Sequence, residues 1–250
     1  MKTINMIGSG NVAYHLLNAL KNSSQFRVQN VAVRSLKKAK QFIEEELLVS
    51  DISNLQPADI TIISVSDNAI KEVSDAIAYE NSLVVHTSGT TALQVLSNKN
   101  RKGVFYPLQT FSKNKVLNFK EVPLCLEAEY ETDLKELKSL AADLSDNVFE
   151  ISSEQRKSLH VSAVFVSNFV NHMYHIGHTI CKEHHIPFDV LKPLIKETAD
   201  KINYLTPEQA QTGPAVRHDD LTTTAHEAFL QNNTYKEIYK LITKSIQQNV

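Results

Sequence analysis

Residues 8–13 read Gly-Ser-Gly-Asn-Val-Ala, and no other stretch of the chain has a spacing that implies chemistry so directly. Two glycines bracket one residue and a small side chain follows three positions later, the G-x-G-x-x-G/A pattern. The first glycine permits a tight turn, the second lets a pyrophosphate approach the main chain, and the small third residue lets helix and strand pack closely. Ile4–Ile7 ahead of the turn is an apolar run of strand type, and Val12–Leu20 behind it has helical amphipathicity. Gly8, Ser9, Gly10, Asn11 and Val12 are therefore the expected phosphate-binding residues.

The end of the next strand-like run, Arg27–Val33, distinguishes between dinucleotides. An acid there would accept hydrogen bonds from a ribose 2′-OH. The sequence instead offers Arg34-Ser35-Leu36-Lys37-Lys38. A guanidinium can stack on adenine and bind a 2′-phosphate, with Ser35 donating, so NADP(H) is expected over NAD(H). The plainer alternative is a solvated basic helix start. Two further strand ends belong to the same edge. In Ser64-Val65-Ser66-Asp67-Asn68, Val65 and Ser66 are expected to line the dinucleotide and Asp67 to cap a helix. In His86-Thr87-Ser88-Gly89-Thr90, Thr87 and Ser88 either bind the carboxamide or a substrate carbonyl, or serve ordinary turn chemistry.

Hydride transfer also needs a proton donor and a group that fixes the substrate. Eight of the ten His lie after residue 152. His160 is the preferred donor, because an imidazole titrates near neutral pH, and the alternative is a half-buried structural His. Asn168, eight residues on, lies two turns and a little further and so shares its helix face. Arg217, in Gly-Pro-Ala-Val-Arg-His-Asp, is the candidate carboxylate anchor, with Asp219 orienting it or capping the next helix. His172, His175 and His178 raise a metal site as a rival, but they fan across a broad face with no acid among them, and no metal is expected.

These side chains require elements to hold them. Before residue 152, apolar strand-length runs (Ile4–Ile7, Arg27–Val33, Ile60–Val65, Leu83–His86) alternate with helical patterns at Val12–Leu20, Leu36–Glu46 and Asn68–Ala78. Gly103–Phe105, Val122–Leu126, a helix over Thr132–Leu144 and a strand at Val148–Ile151 follow. Such an alternation predicts a doubly wound, mostly parallel sheet of α/β class. After it the strand signal disappears: Glu154–Lys182, Phe188–Asn203, Leu221–Gln231 and Tyr235–Gln248 read as helices. The expected division is a dinucleotide-binding domain over 1–152 and an all-helical substrate or dimerisation domain over 153–250.

Composition narrows the class. The 250 residues are 42% hydrophobic and 22% charged, with net charge −2; mean hydropathy is −0.24 and the pI near 6.6. No basic excess exists to neutralise phosphates, so nucleic acid is not an expected partner. No apolar run is long enough to span a membrane, and the glycine turn at Gly8 leaves no room for a signal peptide. Cys125 and Cys181 read as buried free thiols of a reducing compartment, and the expected location is cytoplasmic. The long helix around Val161, Phe165 and Met173 is apolar over most of its surface, so it is either the centre of the helical domain or a dimer contact.

The quoted segments occur in order with Tyr106-Pro107-Leu108-Gln109-Thr110-Phe111, Ser167-Asn168-Phe169 and Gly213–Asp219. Together they resemble the family of Rossmann-like proteins carrying the DUF2520 C-terminal domain. The resemblance runs essentially from end to end. It implies an NADP-dependent oxidoreductase acting on a small carbonyl, imine or hydroxyacid, related in fold to pyrroline-5-carboxylate reductase and the β-hydroxyacid dehydrogenases. Since in related folds the long helix often packs against a second subunit, it also implies a homodimer formed through the C-terminal helices. Three positions depart from these patterns. Tyr106 stands where the family typically has His, and His218 where it has Gly. Val164 occupies the place of the catalytic Lys of the β-hydroxyacid dehydrogenases, four before the helix Asn. That Lys-based mechanism does not carry over, which keeps a non-catalytic NADP-binding sensor or interaction module as the alternative.

Overall fold

The computed structural model describes residues 1–249. Eight strands form one sheet in the order β3-β2-β1-β4-β5-β6-β7-β8. They are β1 (Lys2–Ile7), β2 (Phe26–Ala32), β3 (Leu48–Val49), β4 (Ile60–Ile63), β5 (Leu83–His86), β6 (Arg101–Pro107), β7 (Leu124–Ala128) and β8 (Val148–Glu150). All neighbours are parallel except β6 and β7. The winding reverses between β1 and β4, the place where a doubly wound sheet opens a crevice at its carboxyl edge.

Alternation along each strand divides the core between the two faces. Ile4 and Met6, Ile60 and Ile62, Leu83 and Val85 point to one face. There they meet α1 (Asn11–Leu20) through Leu16 and Leu20, and α4 (Glu131–Leu144) through Leu137 and Leu140. Ile7, Ile63 and Val84 point to the other face and pack with Ile70 of α3 (Ile70–Asp75) and with Ile77. The mostly parallel α/β expectation thus holds, with β7 and β8 running antiparallel to the other six strands.

Two expected helices are shorter than the pattern predicts. The helix expected over 36–46 stops after one turn, α2 (Leu36–Ala39). The chain then bends so that Ile43 enters the core, and three consecutive acids, Glu44 to Glu46, lead into β3, which extends the sheet beyond β2. The helix expected over 68–78 is α3 alone, preceded by a 3-10 turn at Asp67–Ala69. Asp67 is not an N-cap: Ser66 holds that position, without a side-chain bond, and Asp67 instead accepts from the Thr90 hydroxyl at 2.6 Å. It ties the turn after β4 to the turn after β5.

The chain forms two compact units, Met1–Ser167 and the residues from Asn168 on. α5 (Ser153–Ala163) starts with a capping box between Ser152 and Gln155 and belongs to the first. It passes into a π-helical turn, Val164–Phe169, before α6 (Val170–Glu183). Six residues of wider pitch break the 3.6-residue spacing that would set His160 and Asn168 on one face. The second unit is helical: α7 (Lys192–Lys201), α8 (Pro207–Ala210), α9 (Asp220–Phe229) and α10 (Asn233–Asn249) follow α6. His226 on α9 bonds the Tyr239 hydroxyl on α10 at 2.9 Å. Among its described residues only Cys181, Ala215 and Thr223 are buried. Among the described residues no helix is long and apolar enough to cross a membrane.

Candidate active site

The turn after β1 is shaped by two glycines in opposite situations. Gly8 has φ +123°, a conformation that L side chains rarely adopt, and a Cβ there would overlap the Ser64 carbonyl at the end of β4. Gly8 N–H donates to Ala32 O at 2.9 Å and Ser64 N–H to Ile7 O at 2.8 Å, so the turn is locked between β2 and β4. Gly10 is the opposite case. Its backbone is extended, and a Cβ added there meets nothing within 4 Å. Gly10 is the N-cap of α1, whose first turn has neither a side-chain cap nor an acid. Free N–H groups and the positive end of the helix dipole face open space. Such a turn could hold a phosphate group, and Ala13, fully buried, packs closely beneath it.

The β6–β7 loop ties into this turn, and nothing in its sequence announces that role. Asn11 donates its side-chain amide to Phe111 O at 2.9 Å, and His15 Nε2 lies 2.9 Å from Ser112 O. Lys113 reaches the turn itself, donating to Ser9 O at 3.0 Å with its ammonium 3.8 Å from the centre of the Phe42 ring. Burial lowers the Lys113 pKa. Sequence spacing could not find it, since it lies 104 residues from the turn it touches.

Arg34 and Ser35 follow β2 and are exposed. Ser35 is the N-cap of α2, yet its hydroxyl makes no capping bond, which leaves it free to donate. Val65 is half-buried and Ser66 exposed at the end of β4. Ser88 is different: it is buried, and its Oγ accepts from Thr90 N–H (3.1 Å) and Thr91 N–H (3.0 Å). Its oxygen is committed to the turn.

The turn after β5 is finished by side chains. His86 is fully buried; its Nδ1 accepts from Ser88 N–H at 3.2 Å. Burial, reinforced by the charge of Arg156, pushes its pKa down to about 4. Tyr106, near the end of β6, places its hydroxyl 3.0 Å from His160 Nδ1. Burial pushes the Tyr106 hydroxyl up to about 12 and the neighbouring Cys125 thiol up to about 11. Gly89 makes the pair possible, because a Cβ there would lie 2.5 Å from His160 Nδ1.

Arg156 underpins the group and was invisible in the sequence. It is 1% exposed, and its Nη2 donates to Thr91 O (2.7 Å) and Ser153 Oγ (3.1 Å), with Glu127 at 3.3 Å. Its Nε and Nη1 are buried without a partner. In Ser-Glu-Gln-Arg-Lys-Ser it reads as part of a solvated helix start.

Asn168 and Arg217 both belong to the second unit and are exposed, Asn168 in the π-helical turn and Arg217 ahead of α9. Asp219 caps α9, accepting from Thr222 N–H (3.1 Å) and the Thr222 hydroxyl (2.7 Å). Those bonds hold its carboxyl below the usual range, with a smaller contribution from Arg217. In the His ladder, His172 and His175 stack at 5.9 Å while His178 packs edge-on against Phe188. Among the described residues no group of three His, Cys, Asp or Glu could hold a metal.

The model of a domain of unknown function, DUF2520, matches residues 122–246. Of the solved structures, a provisionally assigned NADP oxidoreductase from Bacteroides fragilis is 38% identical, with TM-score 0.90 over 99% of this chain and 98% of its own. A protein from Thermotoga maritima is 22% identical, with TM-score 0.76 over 98% and 97%. Pyrroline carboxylate reductase from Plasmodium falciparum, solved with NADP bound, shares the fold at 12% identity, with TM-score 0.61 over 98% of both chains. No curated protein matches.

Proposed function

The chain belongs to the DUF2520 family, and from that premise we propose that it is a cytoplasmic NADP(H)-dependent oxidoreductase acting on a small carbonyl, imine or hydroxyacid. The observation that carries this reading is the pair of glycines after β1: Gly8 closes the turn against Ser64 while Gly10 leaves the α1 N-terminus open. A phosphate placed there meets main-chain donors, with the Lys113 ammonium at the rim of the turn. Arg34 and Ser35, exposed and without an acid beside them, provide a fork and a hydroxyl for a 2′-phosphate. The B. fragilis relative, assigned as an NADP oxidoreductase, supports the same reading.

The dinucleotide supplies or takes the hydride when bound. The chain supplies orientation and a proton. Val65, Ser66 and the backbone beside Ser88 line the edge next to the cradle; His160 is the proposed proton donor; Arg217 is proposed to hold a substrate carboxylate, and Asn168 to orient the reacting group. In the second unit Val190, Leu194, Ile202, Leu221 and Leu241 are each more than half exposed. A second copy is the proposed cover for that surface, and light scattering should give twice the 28.1 kDa of one chain; a monomer would refute it.

Titration with NADPH and NADH, read by cofactor fluorescence, tests the cofactor reading. NADPH should bind at least tenfold tighter, and Arg34→Ala should erase most of that preference, since a bond to a charged group is worth about 1.5–3 kcal/mol. Equal binding of the two would sink the 2′-phosphate assignment. Binding of neither would reduce the glycine turn to structure.

A further inference from the structure

We infer that Tyr106 is the positioning residue of the proton donor: it holds His160 through Nδ1 and leaves Nε2 as the nitrogen that exchanges a proton with the substrate. This rests on the reading of His160 as the donor and adds the group through which the fold controls it.

The pair sits at the carboxyl edge of the sheet, near the end of β6, where the strand ends of a doubly wound sheet collect ligands. Three features bring His160 there. The capping box at Ser152 starts α5 in register. Arg156, one turn before His160 and on the same face, fastens the helix to the segment after β5 through Thr91 O. Gly89 leaves the space that the imidazole and the phenol occupy; a Cβ would lie 2.5 Å from His160 Nδ1 and 2.9 Å from Tyr106 Cζ. The ring is thus located by packing and fixed in rotation by one bond of 3.0 Å.

A hydroxyl suits this position because it donates or accepts according to the state of the ring. When His160 is neutral, Tyr106 donates to Nδ1 and the ring proton resides on Nε2. When His160 is charged, Nδ1–H donates to the Tyr106 oxygen. In the reducing direction the imidazolium gives its Nε2 proton to the heteroatom as the carbon takes the hydride. Nδ1 keeps its proton, still donated to Tyr106, so the ring is left as the Nδ1–H tautomer, distinct from the resting neutral ring, until Nε2 takes up a proton from water. Tyr106 itself stays protonated throughout. Burial raises its pKa, and Cys125, directly across the β6–β7 ladder, is likewise held neutral by burial. The other charged groups of this cluster are Arg156 and Glu127, paired with each other at 3.3 Å.

The test is Tyr106→Phe, which keeps the ring and removes only the oxygen. In protein labelled with 15N-histidine, with the His160 signals assigned by their loss in His160→Gln, Nδ1 of the wild type should show the shift of a hydrogen-bonded acceptor at pH values where the ring is neutral. Tyr106→Phe should abolish that shift while leaving the melting temperature within a few degrees. An unchanged Nδ1 signal in Tyr106→Phe would overturn the inference. An NADPH titration of the same variant separates this from the cofactor reading: affinity should equal that of the wild type. Failure of the wild type to bind NADPH would break the oxidoreductase reading while the ring spectra still decide the role of Tyr106.

Discussion

After β1 the sheet edge is finished in main chain, with Gly8, Ser9 and Gly10 presenting peptide groups and hardly a side chain. After β5 and β6 the same edge is finished in side chains, with His86, Tyr106 and His160 packed over a buried Arg156. The two constructions fail in different ways. Peptide donors have fixed positions and a charge that cannot titrate, so that end is sensitive to added volume. Side chains can be retuned by one atom and respond to pH, so the other end is sensitive to protonation. A site that must bind a constant anion and also move a proton has reason to use both.

The largest effect should come from adding one methyl group to the main-chain end. Gly8→Ala places a Cβ into the Ser64 carbonyl at φ +123°. It should cost on the order of 3 kcal/mol or more and lower the melting temperature by roughly 6–12 °C. Gly10→Ala separates binding from folding, because its Cβ meets nothing within 4 Å. Its melting temperature should stay within about 2 °C, while NADPH affinity falls at least tenfold, about 1.4 kcal/mol. Wild-type affinity in Gly10→Ala would mean that no ligand approaches the peptide there, and the contrast between the two ends would dissolve.

The side-chain end should show itself through pH. His86 titrates near 4 in the folded chain against an ordinary 6.5. Between those values the unfolded chain takes up a proton that the folded chain refuses, so stability falls as pH drops from about 6.5 to about 4 and is unaffected by this group above that window. The full loss is at most about 3.5 kcal/mol. Asn at this position keeps an acceptor for Ser88 N–H and does not titrate. Urea midpoints at pH 7 and pH 4.5 should therefore converge in His86→Asn and diverge in the wild type. Equal slopes in both would show that His86 is charged when buried, or that the edge opens below pH 6.

The same division decides what a reader of the sequence can see. Gly8 to Ala13 is legible because its glycine spacing is written within six residues, although what Gly8 packs against, Ser64, lies far along the chain. The strands beside it are legible because doubly covered strands are written as unbroken apolar runs. The fold class followed from those two signals. Leu48–Val49 was missed because two residues are too few for periodicity, and α2 was drawn too long because its basic first turn flows into further helix formers. His160 could be singled out by residue type, but its partner Tyr106 is 54 positions away. Arg156 offered no signal at all: a charged residue in the first turns of a helix is written the same way whether it faces water or lies 1% exposed. The π-helical turn at Val164–Phe169 contains no Gly or Pro to mark it.

Lys113 offers the smallest and sharpest comparison, since it is a side chain brought to the main-chain end. Its ammonium donates to Ser9 O and lies over Phe42, already partly desolvated. A cation at the rim of the cradle should add attraction for any phosphate without reading the ribose. Lys113→Ala should therefore weaken NADPH and NADH by the same two- to fivefold, about 0.5–1 kcal/mol, and the loss should shrink as salt rises. That separates it from Arg34→Ala, in which only NADPH should suffer. If Lys113→Ala instead changes the NADPH to NADH ratio, the lysine reads the 2′-phosphate and the division of labour between peptide cradle and basic strand end must be redrawn. If it changes neither affinity, the β6–β7 loop is packing for α1, and the anion end of the site is main chain alone.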